Sequence, residues 1–468
     1  MRRRIDRQGF RIVLILICAA FGGTRPSAWA GDASGPPPKP DREAVERGRR
    51  ALTEHGYLHA EWSDAAYRGA SKYWDEPGPD PDKNPEGYAR AFARRYGFHP
   101  TPYPNDGLPM GLRRSVKRDG VTRGVQVDCM VCHGGSIGGR SYVGMPNTQI
   151  DYETFFLDMF RADGRRMPII PFILGTSRGT TNAGMMAVVL LSFRNADLSR
   201  RTFPVPMGSN LPELDAPPWW VLKHKTKMYY DGRTPAASVR ANMQFLLGEK
   251  SLAEFQELEP TFRDIQAYLL SIEPPKYPFA IDAVQADRGR AVFEKTCARC
   301  HGTYGETVSY PGKIVPLDVV GTDPERIRGM ADRAVAHYNA TWFAEKHPVQ
   351  TDEEDGYQAP PLDGIWASAP YLHNGSVPTL RALLDSTTRP SRFTRPRSTD
   401  FEHYDRRNVG WKFEEVAEPA STVKRLSSHQ AHFIYDTSRY GLGNGGHTFG
   451  DRLTEADRAD LIEYLKTL

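Results

Sequence analysis

The sequence predicts a mainly α-helical protein built as two tandem units with long irregular insertions. Three observations carry this expectation. The pattern Cys-x-x-Cys-His occurs twice, as Cys129-Met-Val-Cys132-His133 and as Cys297-Ala-Arg-Cys300-His301. An amphipathic segment, Asp287 to Thr296, runs directly into the second copy. A matching apolar spacing closes each half: Phe262, Ile265, Tyr268 and Leu269 in one, Leu461, Tyr464, Leu465 and Leu468 in the other. Residues three and four apart share one helix face, so both stretches read as helices with one buried side.

The chain has 468 residues, 39% hydrophobic and 25% charged, with 42 Gly and 37 Pro. That balance fits a packed, loop-rich globular protein and excludes a disordered or fibrous one. The formal charge of +4 is concentrated at one end. Residues 1–30 carry six Arg and one Asp; the rest has 55 basic and 56 acidic residues. A net charge of −1 is no polyphosphate-binding balance, so nucleic acid is not an expected partner.

Residues 1–30 read as a signal peptide. Three arginines follow Met1, an apolar core runs from Ile12 to Phe21, and Ala28-Trp29-Ala30 has the small-x-small form of a cleavage site. The mature chain is then expected to be periplasmic or secreted, with no membrane span. Residues 31–89 are expected to form a leader and N-terminal extension, Gly/Pro-rich up to Pro40.

Cys18 leaves with the signal peptide, and no mature cysteine lies outside the two motifs. Cys-x-x-Cys-His is the attachment pattern of c-type haem. Two thiols on one helical turn reach the two vinyl groups of a porphyrin, and the adjacent imidazole meets the iron. A thioredoxin-like pair is disfavoured by the His and by the twofold occurrence. Zinc binding and two disulfides are the other readings of four exported cysteines. The expectation is two covalently bound haem c groups, held by Cys129, Cys132 and His133 and by Cys297, Cys300 and His301. A first c-type haem domain is expected at 90–275 and a second at 280–468. Pro274-Pro275 stops the helix between them.

Several phrases extend this reading: Arg95-Tyr-Gly-Phe-His-Pro-Thr-Pro-Tyr-Pro-Asn-Asp-Gly-Leu-Pro-Met-Gly111, Cys132-His-Gly-Gly-Ser-Ile137, Pro217-Pro-Trp-Trp220, Ala369-Pro-Tyr-Leu-His-Asn-Gly375 and Gly443-Asn-Gly-Gly-His-Thr-Phe-Gly450. With them the sequence resembles the bacterial di-haem cytochrome c superfamily. That superfamily includes di-haem cytochrome c peroxidases, the methylamine-utilisation di-haem enzyme and the rubber oxygenases, and the phrases look closest to the rubber-oxygenase branch. The resemblance covers most of residues 90–468. It implies tandem cytochrome c-like domains, reactive chemistry at the N-terminal haem of His133 and electron relay through the C-terminal haem.

His133 and His301 are the expected proximal ligands. For the second iron His447 is favoured as the sixth ligand. It lies in a loop with Gly441, Gly443, Gly445 and Gly446, and the resemblance places a late histidine there. His373 is the rival, while Met330 and His337 are weaker. The first iron has no evident distal ligand; Met145, Met159, Met207, Met228 and Met243 read equally well as core. Trp219, Trp220 and Trp366 are core residues or an electron path between haems. Gly134 to Gly139 is expected to let backbone pass close to the porphyrin.

Two functions remain at this level. One is an oxidoreductase using peroxide or O₂ at an open first haem, with a possible redox partner protein. The other is a plain electron carrier with both irons six-coordinate. Substrate, potentials and oligomeric state are not legible in the sequence.

Overall fold

The computed structural model describes residues 39–170, 172–351, 354–417 and 428–468. The expected signal peptide, 1–30, lies outside the described residues. Among the described residues no helix is long and apolar enough to cross a membrane.

The helices that frame the molecule are α1 (Arg42–Glu54), α2 (Pro85–Tyr96), α3 (Tyr152–Ala162), α4 (Ala183–Ser192), α5 (Leu252–Ser271), α6 (Ala283–Thr296) and α7 (Glu455–Leu465). Their ends obey ordinary capping. Ser251 and Glu254 form a reciprocal capping box at the start of α5. At α7 the Thr454 hydroxyl accepts the Asp457 N–H at 3.1 Å, as expected for an N-cap. Helix α5 begins nine residues before the expected Thr261 and runs through Pro260.

Two helix crossings repeat one solution. Helix α1 packs across α5, and α6 packs across α7. A Cβ at Gly48 would lie 1.8 Å from the Asp264 carbonyl oxygen, and one at Gly289 would lie 1.9 Å from that of Asp460. Only glycine lets either pair come so close. Beside each glycine an arginine forks onto the opposing aspartate. Arg47 donates to Asp264 at 2.7 and 3.0 Å, and Arg288 donates to Asp460 at 2.8 and 3.0 Å. Such bidentate pairs fix rotation and spacing more than they stabilise, since the arginines are largely exposed. The segment expected as leader and extension thus supplies α1, which packs on the last helix of the N-terminal half.

The expectation of a mainly α fold is corrected: the chain is 38% helix and 13% strand, a mixed composition. The insertions fold into short ladders because their backbone polar groups need partners once covered. Strands β1 (Trp62–Ser63), β2 (Leu112–Val116) and β3 (Arg123–Val127) form an antiparallel sheet in the order β1-β3-β2. Strands β4 (Gly134–Ile137) and β5 (Arg140–Val143) form a hairpin directly after the first Cys-x-x-Cys-His motif. Its turn is Gly138-Gly139, with φ of +59° and +75°, the two positive values that a tight two-residue hairpin requires.

Behind these elements lie three large apolar clusters. One collects Trp62, Tyr88, Phe92, Tyr96 and Phe155 around α2 and α3. A second joins the α4–α5 region through Met185, Met207, Met243, Phe255 and Phe262. The third fills the C-terminal half with Trp220, Phe293, Trp366, Tyr371, Leu461 and Leu465.

Candidate functional site

Each Cys-x-x-Cys-His motif forms a single helical turn, Met130–His133 and Ala298–His301. The four described cysteines are free, so the disulfide reading is not realised. Cys129 is exposed by area, yet burial among protein groups, with Asp128 adding to it, pushes its thiol up to about 12. Both statements hold when the side chain faces an internal hollow. Burial likewise raises Cys132 and Cys297 to about 11.

The two motif histidines are held in the same way. His133 Nδ1 donates to the Pro217 carbonyl at 3.1 Å, and His301 Nδ1 donates to the Pro360 carbonyl at 2.8 Å. A carbonyl can only accept, so each bond fixes the proton on Nδ1 and leaves the Nε2 lone pair for a metal. Burial favours the neutral form of both rings, lowering His133 to about 4 and lowering His301 as well.

The second motif opens on a cavity of about 250 Å³. Cys297, Cys300, His301, His373 and His447 all line it. The rings of His301 and His447 face each other across it with centroids 6.3 Å apart, tilted by 59°. Two imidazoles bonding one metal ion at about 2 Å each hold their centroids roughly 6 Å apart. The gap therefore fits one iron. His447 Nδ1 is buried with no hydrogen bond among the described residues. Burial, with His301 next in weight, lowers this imidazole to about 4, again the form that binds metal.

Glycine and one arginine place His447. Its backbone is left-handed, φ +46°, a conformation that costs a non-glycine residue about 1 kcal/mol or more. The preceding Gly446 lies against Gly321, where a Cβ would meet the carbonyl carbon at 2.1 Å. The His447 N–H donates to the Val320 carbonyl at 2.6 Å. Arg389 then donates to the carbonyls of Asn444 at 2.6 Å, Gly446 at 2.7 Å and His447 at 3.2 Å. Sequence reasoning missed Arg389, for nothing in its neighbourhood marks it.

His373 lines the same cavity but is otherwise engaged. Its ring stacks on Tyr357 at 4.2 Å, and its Nε2 lies 3.1 Å from the Tyr357 hydroxyl. Burial lowers it to about 3. Met330 accepts from Ser209 at 3.9 Å and His337 contacts the Arg194 carbonyl at 3.0 Å, so both are used elsewhere.

The cavity wall also carries polar groups that lack protein partners. Gln358 Nε2 and Oε1 and Thr322 Oγ1 are buried and unbonded among the described residues. Lys225, buried on the same wall, has its ammonium lowered to about 8 by burial. These groups suit an apolar plate bearing carboxylates, which describes a porphyrin. The residues present therefore fit haem c at this site.

The first motif is surrounded differently. The ring partner of His133 is Trp219, stacked at 4.7 Å and 25°. Thr181 Oγ1 lies 3.7 Å from Cys132 Sγ. Among the described residues no second imidazole makes a ring contact with His133. Of the five methionines weighed, Met207 and Met243 are buried in the apolar cluster that Trp219 and Val143 border. Trp220 donates to the Asp363 carbonyl at 2.7 Å and Trp366 to that of Pro275 at 2.9 Å, so both are buried joints between the halves. Pro217, which accepts from His133, also lines the second cavity.

Among the comparisons with known proteins, one family match bears on this chemistry. Residues 356–394, which include Pro360 and His373, match a family profile described as RoxA-like, cytochrome c-like. Two uncharacterized proteins of Sinorhizobium fredii are similar to this chain. The first, y4iM, is 30% identical over 294 residues, covering 54% of this chain and 64% of its own length. The second, y4iJ, is 29% identical over 264 residues, covering 42% and 41%. The chain therefore spans under two thirds of either relative. A solved structure entitled as a MauG-like protein associated with microbial copper homeostasis overlaps 65% of this chain and 94% of its own. Its identity is 15% and its TM-score 0.27. The cytochrome c-like match and the fit of the second cavity together describe a haem-dependent redox protein.

Proposed function

We propose that the chain is an exported di-haem c oxidoreductase, reacting with peroxide or O₂ at the haem of His133 and passing electrons through the haem of His301. The observation that carries this reading is the asymmetry between two otherwise matching sites. Both motif imidazoles are oriented by a proline carbonyl. One of them faces a second imidazole at 6.3 Å, and the other is stacked only on Trp219.

In this reading Cys129, Cys132, Cys297 and Cys300 carry the porphyrins, while His133, His301 and His447 bond the irons. Bound haem supplies one-electron chemistry and, where a coordination position is open, a place for a small oxidant. The chain's residues do the rest. His301 and His447, each fixed by the chain, would hold the second iron between them and so favour electron transfer there. Lys225, Thr322 and Gln358 would hold the second porphyrin's carboxylates. The segment Asp215 to Trp220 touches both sites, through Pro217 and Trp219 on one side and the cavity wall on the other. It supports short-range electron exchange between them. Tandem cytochrome c-like domains are supported by the two glycine-mediated helix crossings. A separate redox protein would supply or remove electrons.

Stopped-flow mixing of the reduced and oxidised holoprotein with hydrogen peroxide and with O₂ tests the proposal. Spectral change at one haem and none at the other is expected. If neither oxidant perturbs the haem of His133 in any redox state, the protein is an electron carrier.

A further inference from the structure

A second, much smaller cavity, lined by neither His133 nor His301, lies between the halves. Its walls are Arg178, Arg395, His432, Phe393, Phe433 and Tyr435. Both arginines are more than nine-tenths buried, at 6% and 8% exposure. They clasp each other's backbone. Arg178 Nη2 donates to the carbonyls of Arg395 at 3.0 Å and Pro396 at 2.6 Å. Arg395 Nη2 donates to the carbonyls of Thr148 at 2.6 Å and Arg178 at 2.9 Å.

Every one of those acceptors is neutral. Arg178 Nε and Nη1 and Arg395 Nη1 are buried with no hydrogen bond among the described residues. Neighbouring charge makes the deficit worse. Arg397 sits over the Phe433 ring at 3.9 Å, on which Arg178 also lies at 4.7 Å. The carboxylates closest to hand are already committed. Asp151 accepts from His429 and His432, each at 2.7 Å, and Glu153 faces His432 Nε2 at 3.3 Å. Burial depresses both guanidinium groups, Arg395 to about 10, and repulsion from Arg395 and Arg397 depresses Arg178 further. Asp215 attracts Arg395 and Asp151 attracts Arg178, but neither carboxylate hydrogen-bonds a guanidinium among the described residues. Two adjacent buried cations so weakly compensated are costly, and an arginine does not shed its proton to escape that cost.

We propose that this cavity is an anion site, taking a carboxylate or a small inorganic anion between Arg178 and Arg395. Planar guanidinium N–H groups suit a carboxylate, and the three free donors give such a ligand its hydrogen bonds. The aromatic walls exclude water and strengthen the attraction. The carboxylate of a porphyrin attached at Cys129 and Cys132 and a free ion such as formate or bromide share this chemistry. The site is independent of the reaction proposed above, since its evidence is charge and geometry alone. It also acts on the larger cavity: Arg395 attracts Asp215, whose carboxyl, raised to about 8 by burial, lines that cavity.

The test uses the holoprotein as exported. Crystals soaked in sodium bromide should show an anomalous peak inside the cavity. Thermal unfolding at fixed ionic strength should rise saturably, by about 2–4 °C, when bromide replaces gluconate, a carboxylate too bulky for so small a cavity. If the porphyrin supplies the anion, electron density runs continuously from its ring to Arg178 and Arg395 and bromide has no effect. Arg395→Met then shifts the midpoint potential of the first haem, and Arg395→Lys restores part of it. A cavity holding only water, with unfolding insensitive to bromide and potentials unmoved by Arg395→Met, would overturn the proposal.

Discussion

The two halves of the molecule orient their motif histidines alike and surround them differently. In each, a glycine lets two helices cross in contact, an arginine–aspartate fork sets their rotation, and a proline carbonyl orients the motif imidazole. In the C-terminal half a glycine-rich loop then returns a second imidazole, and Arg389 holds it there. In the N-terminal half Trp219 occupies the ring face of His133. In the proposed reading, holding an iron and closing it are separate structural tasks, the first repeated in both halves and the second added to one.

The comparison breaks most visibly at the second motif. Replacing Cys297 and Cys300 by Ser should remove one covalently attached haem, by denaturing mass spectrometry, and leave the one at Cys129 and Cys132. Next in size is His447→Ala, which should turn one low-spin haem high-spin and leave the other unchanged. His373→Ala should leave the spin state alone, because His373 is stacked on Tyr357. Arg389→Gln sharpens the same point. The His447 loop loses three carbonyl contacts, and a mixture of low- and high-spin second haem is expected in optical spectra.

Smaller effects probe the shared part. Gly48→Ala and Gly289→Ala each force a methyl group against an opposing backbone carbonyl. Denaturant unfolding should find each destabilising by about 1–3 kcal/mol, the range for overpacking a tight contact. Similar losses at the two sites would support the repeat; a loss at Gly289 alone would break it.

The least effect concerns pH and the contact between halves. Burial alone would lower His432, but the carboxylates of Asp151 and Glu153 outweigh it and raise the imidazole to about 9. A folded value above the unfolded one means stability fully present below about pH 6.5 and lost as pH rises through 9. The melting temperature of the native protein should fall across that window, and His432→Gln should flatten the fall.

Much of this was legible because certain residue patterns have few physical solutions. Cys-x-x-Cys-His marked the two helical turns that present Cys and His together, and the apolar spacing of Leu461, Tyr464 and Leu465 marked the packed face of α7. The echo of Arg288-Gly-Arg290 in Arg47-Gly-Arg49 was equally visible and would have placed α1. So was Gly138-Gly139 as a hairpin turn, which would have tempered the expectation of a mainly α chain. Other features left no signal. Pro217 and Pro360 act through backbone carbonyls, which every residue possesses. Arg178 and Arg395 meet across 217 positions, where no local spacing relates them.

The central claim is that one iron is closed and the other open. Electron paramagnetic resonance of the oxidised holoprotein, before and after cyanide, measures this directly. The account predicts one low-spin bis-histidine signal that cyanide leaves unchanged and one high-spin signal that cyanide converts. Two low-spin signals indifferent to cyanide would contradict it.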